Sequence, residues 1–319
     1  MDYAPVAHEH EELPLGTLPS GTPVTVPVHR YVGGAGPTVH VQALQHGIEV
    51  NGPAALRRLH ERLLDADVAG TVVVVPVANP LAFDHRSYMT PHALDALNGN
   101  LNRVWPGDAD GTFQERLAAS LWDVVCEADA VVDLHTGSAD MLEHARFVEG
   151  DADAERLASA FGTSHLLVDA DDAPTDDAFS GRLRVALARE DVPAITVELS
   201  NSRELAHGAV RRGADGLENV LRALDVLPGS PDDAPDQSVL HDRATDAIAG
   251  ESGLFEARPG LSVGDRVAAG DELGTVYCPS TFTERETATA AVDGVVYSLT
   301  REAVVVVGER LVGVADPVA

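Results

Sequence analysis

Apolar residues follow two rhythms along the chain. Short runs rich in Val, Ile and Thr stand at 22–31 ("TPVTVPVHRY"), 38–45 ("TVHVQALQ"), 71–77 ("TVVVVPV"), 129–135 ("DAVVDLH") and 193–200 ("PAITVELS"). Several are nearly continuous in apolar residues, the pattern of strands covered on both faces. Between them the period lengthens to that of a helix. Ala55, Leu56, Leu59, Leu63 and Leu64 share one face of a segment that Asn51 caps and Pro53 opens. Thr112 and Glu115 have capping-box spacing at the head of a second helix over 111–128, and a third spans 204–227. Strands alternating with helices predict an α/β fold whose central sheet is mostly parallel or mixed and flanked by helices.

The pattern breaks at 227–238, "LPGSPDDAPDQS", where Pro, Gly, Ser and Asp leave almost nothing to bury. Beyond it, short apolar runs are punctuated by Gly-Asp and Pro-Gly turns, which predicts a small all-β unit. The expected organisation is therefore an α/β domain over 1–226, a linker over 227–238 and a β domain over 239–319.

Charge narrows the partners. The 319 residues hold 51 Asp plus Glu against 22 basic residues, every one of them Arg, for a net charge of −29. Such a surface repels nucleic-acid phosphates and anionic lipid, so neither is an expected partner. Dense carboxylates without lysine suit a salt-rich cytoplasm, because self-repulsion is screened over roughly 3 Å at 1 M salt. No leader-like or membrane-spanning run stands out, and two distant cysteines, Cys126 and Cys278, make no disulfide framework. A cytoplasmic location is the expectation. The oligomeric state stays open, a homo-oligomer included.

Candidate chemistry begins with His46 and Glu49 in "QALQHGIEVNG". Their spacing alone is uninformative, since His8 and Glu11 repeat it in an N-terminal tail expected to be solvated and without an ordered scaffold. Position separates the two pairs. His46 falls where a strand ends and a helix begins, with Gly47 allowing a tight turn, and open α/β sheets assemble their sites there. A catalytic zinc commonly takes three protein ligands. His135, at the end of "AVVDLHTGS", offers the third, and Asp133 on the same strand face offers it an acceptor. Glu198 interrupts an apolar strand, on the face of Ala194 and Thr196 and opposite Ile195, Val197 and Leu199. It is either a salt-bridged structural carboxylate or a general base. The loop-like segment 79–107 offers Arg86, Asn102 and Arg103 for a substrate carboxylate or an oxyanion, the bland alternatives being an ordinary loop arginine and a capped turn.

In that order, "HGIE", "NP", an arginine, "NLNRVWPG", "DLHTGS" and "VELS" resemble the succinylglutamate desuccinylase and aspartoacylase family, zinc hydrolases related in fold to the zinc carboxypeptidases. The resemblance implies one Zn2+ per chain on His46, Glu49 and His135, Glu198 as catalytic carboxylate and Arg86 as carbonyl-polarising residue. Asn102 and Arg103 would bind the substrate's α-carboxylate. Ile48 and Asn100 depart from the family, which usually carries acidic residues at both places. The Asp usual at position 100 supports a zinc-ligand histidine, so Asn100 keeps an acceptor there and loses a charge. The C-terminal unit resembles a lipoyl or biotinyl hammerhead, but without any lysine to modify it is expected to be a cap. The expected activity is metal-dependent hydrolysis of a small N-acyl amino acid. A zinc carboxypeptidase and a metal-bound, non-catalytic binding protein are the alternatives.

Overall fold

The computed structural model describes residues 1–137, 140–169, 181–242 and 246–317. Its centre is a mixed sheet. In chain order the strands are β1 (Ala7–Thr17), β2 (Pro23–Val32), β3 (Gly34–Ala43), β4 (Asp67–Val75), β5 (Ala130–Gly137), β6 (His144–Val148), β7 (His165–Asp169), β8 (Ala194–Asn201) and β9 (Ser238–Asp242). In space they run β1-β2-β4-β3-β5-β8-β6-β7-β9. The four neighbours β4, β3, β5 and β8 are parallel, whereas β1, β2 and β6 introduce antiparallel pairs.

Helices cover both faces of this sheet. On one side α1 (Asn51–Leu63), α4 (Ala152–Phe161) and α6 (His207–Ala223) bury Leu59, Leu157 and Leu217 against Val41, Val132 and Val197. On the other lie α2 (Pro80–Asp84), α3 (Phe113–Val125) and α5 (Leu183–Ala188), where Leu117, Leu121 and Leu187 meet Val73, Val131 and Ala194. Consecutive residues of β5 and β8 thus feed two cores, as the strand period of two requires. Among the described residues no helix is long and apolar enough to cross a membrane.

All five expected strands are present as β2, β3, β4, β5 and β8, with ends shifted by a few residues. The Thr112–Glu115 capping box closes in both directions, at 2.7 and 3.5 Å. Asn51 plays a different part from the cap expected of it. Val50 is the N-cap of α1, and the Asn51 amide donates to the Leu199 carbonyl at 2.9 Å and accepts from the Ala206 N–H at 3.0 Å, tying α1 to the end of β8 and the approach to α6.

The N-terminal "HEHEE" segment corrects a second expectation. It is ordered as β1, paired with β2 along its length. Its charged residues fit an edge strand, where they discourage pairing with another chain, and Leu15 anchors it in the core. β6 and β7, "HARFV" and "HLLVD", escape the sequence reading because each is short, the first interrupted by Arg146 and the second with only three apolar residues between His165 and Asp169.

Beyond α6 the chain carries neither helix nor strand until Ser238 opens β9, which pairs in parallel with β7. Then β10 (Gly253–Ala257), β11 (Glu272–Tyr277) and β12 (Glu284–Thr289) form a small sheet with Val304–Val305. β13 (Gly294–Leu299) pairs with β14 (Arg310–Pro317), which continues the central sheet past β9. Residues of the C-terminal strands are thereby brought beside the N-terminal α/β part of the chain.

Candidate metal centre and active site

β3, β5 and β8 are parallel neighbours, so their C-terminal ends lie side by side along one edge of the sheet. His46, His135 and Glu198 sit at those ends. Past β3, Leu44 adopts a left-handed backbone with φ 59° and swings the chain into a single turn, closed by the Glu49 N–H on the His46 carbonyl at 3.2 Å. Gly47 serves that turn by absence of bulk. A Cβ there would lie 2.1 Å from the Ala82 carbonyl carbon, so only glycine lets α2 pack against it.

The turn aims His46 and Glu49 at one point. One Glu49 oxygen lies 2.9 Å from His46 Nδ1, and the other lies 2.9 Å from His135 Nδ1 while accepting from the Thr136 N–H at 3.2 Å. The outward nitrogens are occupied. His46 Nε2 meets Asn100 Oδ1 at 3.1 Å, and His135 Nε2 meets Asp133 Oδ2 at 2.8 Å. Asp133 is itself held by the Gln45 and Gln42 amides at 2.6 and 3.2 Å, and the Trp105 indole N–H donates to Gln45 at 2.8 Å. Each outer N–H therefore donates to an oxygen and leaves Nδ1 as the lone-pair nitrogen, the tautomer a metal ligand needs. The three inner donors lie within 4.8 Å of one another, all buried. Two imidazoles and a carboxylate in that arrangement fit a catalytic zinc with a coordination position to spare.

Electrostatics reinforce the fit. Burial pushes the Glu49 carboxyl up, yet the two imidazoles on its oxygens outweigh burial and hold it down to about 2. Burial pushes His135 down, and Asp133 and Glu49 together hold it well above its ordinary value. A divalent cation on His135 Nδ1 and Glu49 would take the place of the proton that Glu49 favours there, while Asp133 keeps the Nε2 proton, so binding would release one proton.

Beside this centre opens a cavity of about 430 Å³. Glu198 lies level with His135 across the β5–β8 ladder and lines it. Its Oε2 is buried with no hydrogen-bond partner, and burial raises its carboxyl above the ordinary range against the pull of His135. Asn102 and Arg103 line the same cavity. Asn102 accepts the Leu183 N–H at 3.0 Å, which fixes the head of α5. Arg103 donates to the Asn102 carbonyl at 2.6 Å, and its guanidinium meets no carboxylate among the described residues. Burial, with Arg184 and Arg310 nearby, holds its pKa below the usual arginine value.

Arg86 is elsewhere. It is exposed in a left-handed turn with φ 52° and does not line the cavity. Two residues on, Tyr88 does, its ring stacked on His46 at 4.1 Å between centroids. Burial and the carboxylates of Glu49 and Glu198 raise the Tyr88 phenol, which stays a proton donor.

The family model described as the succinylglutamate desuccinylase/aspartoacylase catalytic domain matches residues 35–224, which include the metal cradle, Glu198, Asn102 and Arg103. The chain belongs to this family. An N-alpha-acetyl-L-2,4-diaminobutyric acid deacetylase of Halomonas elongata is 29% identical to it over 286 residues, 85% of this chain and 80% of that protein. A succinylglutamate desuccinylase/aspartoacylase from Rhodobacter sphaeroides has a TM-score of 0.85 at 26% identity, covering 100% of this chain and 96% of that one. The product-bound ectoine utilization protein EutE (DoeB) from Ruegeria pomeroyi gives 0.83 at 26% identity, over 99% and 96%.

Other walls of the desuccinylase/aspartoacylase cavity went unread in the sequence. Arg146 bridges Asp169 and Asp242 at 2.7 Å each, and Arg184 reaches Asp169 with Nε at 2.7 Å. From the C-terminal strands, Tyr297 donates to Asp246 at 3.1 Å and Arg310 pairs with Asp246 at 2.7 Å. An arginine inside the apolar "HARFV" was the available signal for Arg146, of the same kind that pointed to Glu198. Asp169 opens the acidic run 169–178, which the sequence reading takes as hydrated surface. It is instead buried between two arginines, and residues 170–178 lie outside the described residues.

Proposed function

We propose that the chain is a metal-dependent amidohydrolase that removes the acyl group from a small N-acyl amino acid, with one Zn2+ on His46, Glu49 and His135. Bound there, the ion supplies a Lewis acid toward the attacking water and the acyl carbonyl oxygen. Glu198, which lines the cavity and whose Oε2 has no hydrogen-bond partner, takes the proton from that water and delivers it to the leaving nitrogen. Arg103, an exposed cation on the cavity wall with no carboxylate partner among the described residues, receives the substrate carboxylate, and Asn102 helps orient it. The oxyanion role expected of Arg86 falls to a group inside the cavity, the Tyr88 hydroxyl.

One observation carries this reading: two imidazole Nδ1 atoms and a carboxylate converge beside a second, unpartnered carboxylate in a single cavity. Its volume of about 430 Å³ suits a small metabolite. Tyr297 and Arg310 form part of its wall, so the C-terminal β unit acts as a cap and an extended peptide is disfavoured as substrate. The named activity of the Halomonas elongata relative supports an N-acetylated amino acid.

A hydrolysis panel of N-acetyl and N-succinyl amino acids at molar salt tests the proposal. We expect turnover of at least one, lost on chelation, restored by Zn2+, and strongly reduced in Glu198→Gln with its metal retained. Metal binding with no turnover across the panel would favour the non-catalytic binding protein.

A further inference from the structure

Four imidazoles outside the active site share one patch of the edge of the sheet. In the β1–β2 pair His8 lies opposite Tyr31 and His10 opposite His29, so the strand period of two places all four rings on one face. α1 lays His60 over that face. Ring centroids lie 5.4 Å apart for His8 and His29, 5.2 Å for His8 and His60, and 5.9 Å for His10 and His29.

The nitrogens make the patch more than a stack. His8 Nε2 and His29 Nδ1 are 3.1 Å apart. Two nitrogens bound to one tetrahedral ion at about 2.0–2.1 Å stand roughly 3.3 Å apart, so a metal can replace the proton this pair shares with little movement. His60 has its Nδ1 against the Tyr31 hydroxyl at 2.6 Å, which leaves Nε2 free, the division of labour seen in the active-site histidines. His10 is exposed and free to turn inward. Glu12 follows two residues later on the same strand face and adds negative charge nearby. Burial, then the neighbouring histidines, hold His8 and His29 below the ordinary imidazole pKa, so both are neutral and ligand-competent at pH 7.

We infer that His8 and His29, joined by His10 and His60 as their rings turn inward, form a second divalent-cation site that fastens β1 to β2 and α1. Imidazole donors select Zn2+, Ni2+ or Cu2+ over Mg2+ or Ca2+, which take oxygen. The site does not depend on the proposed hydrolysis.

Equilibrium dialysis of the full chain against Ni2+, in molar KCl with excess Mg2+ occupying the acidic surface, tests it by ion count. Wild type should retain one more Ni2+ per chain than His8→Gln/His29→Gln, and His46→Ala/His135→Ala should keep that ion. Equal counts for wild type and His8→Gln/His29→Gln would overturn the inference. Because the double variant could loosen β1, imidazole ¹⁵N resonances of wild type give a second readout. Zn2+ should shift His8 Nε2 and His29 Nδ1 at one equivalent beyond the active-site ion, and unmoved resonances would equally overturn it.

Discussion

His8 and Glu11 stand three residues apart, as do His46 and Glu49, and the two pairs end in opposite circumstances. Within β1, positions i and i+3 face opposite sides. His8 therefore meets His29, while Glu11 pairs with Arg30 at 3.3 Å with its side chain 60% exposed. Between β3 and α1 the same spacing spans a single turn. His46 and Glu49 point together, 2.9 Å apart, with side chains only 4% and 3% exposed. Spacing acquires chemical meaning from the backbone that carries it and from the dielectric around it.

That contrast can be broken at several points. Glu49→Gln should empty the buried centre of metal and lower kcat/KM by at least about a thousandfold, roughly 4 kcal/mol of barrier, as metal analysis and kinetics together would read. Glu198→Gln should keep the metal and lower kcat by roughly 10²–10⁴-fold, separating the ion's contribution from that of the base.

Asp169 extends the comparison to a buried carboxylate held by arginines instead of imidazoles. Burial raises its carboxyl, but Arg184 and Arg146 outweigh burial and bring it down to about 2 from 3.8. Its contribution to stability is complete above 3.8 and is lost as pH falls through about 2. Asp169→Asn should cost about 3–5 kcal/mol at neutral pH, by leaving buried guanidinium groups underpaired, and should remove that acid-side slope in denaturant titrations. Asn100→Asp, placing a full charge on His46 Nε2, should tighten zinc by roughly tenfold in competition with a chromophoric chelator. Smallest of all, Glu11→Gln should leave metal content unchanged and alter stability by less than about 0.5 kcal/mol.

Much of the site could be read from residues that break a local rule. Glu198 in an apolar strand and His135 at a strand end announce themselves because burying them needs a reason. The five strands rich in Val, Ile and Thr were legible from their apolar runs. Harder to read were features that exist only once distant segments meet. Nothing near Tyr88 states that its ring will lie on His46, and loop 79–107 offered Arg86 with equal plausibility until the turn at φ 52° carried it outward. Tyr297 and Arg310 reach the cavity only because β14 continues the central sheet past β9. β1 was missed because its alternation is of charge, with only Leu13 and Leu15 left to anchor it.

The most direct measurement is anomalous diffraction at the zinc absorption edge from crystals of the metal-loaded chain. A peak bonded to Nδ1 of His46, Nδ1 of His135 and the Glu49 carboxylate, with Glu198 facing it and unligated, is the predicted result. No peak between those three side chains, or histidines bound through Nε2 with Asn100 and Asp133 displaced, would contradict it.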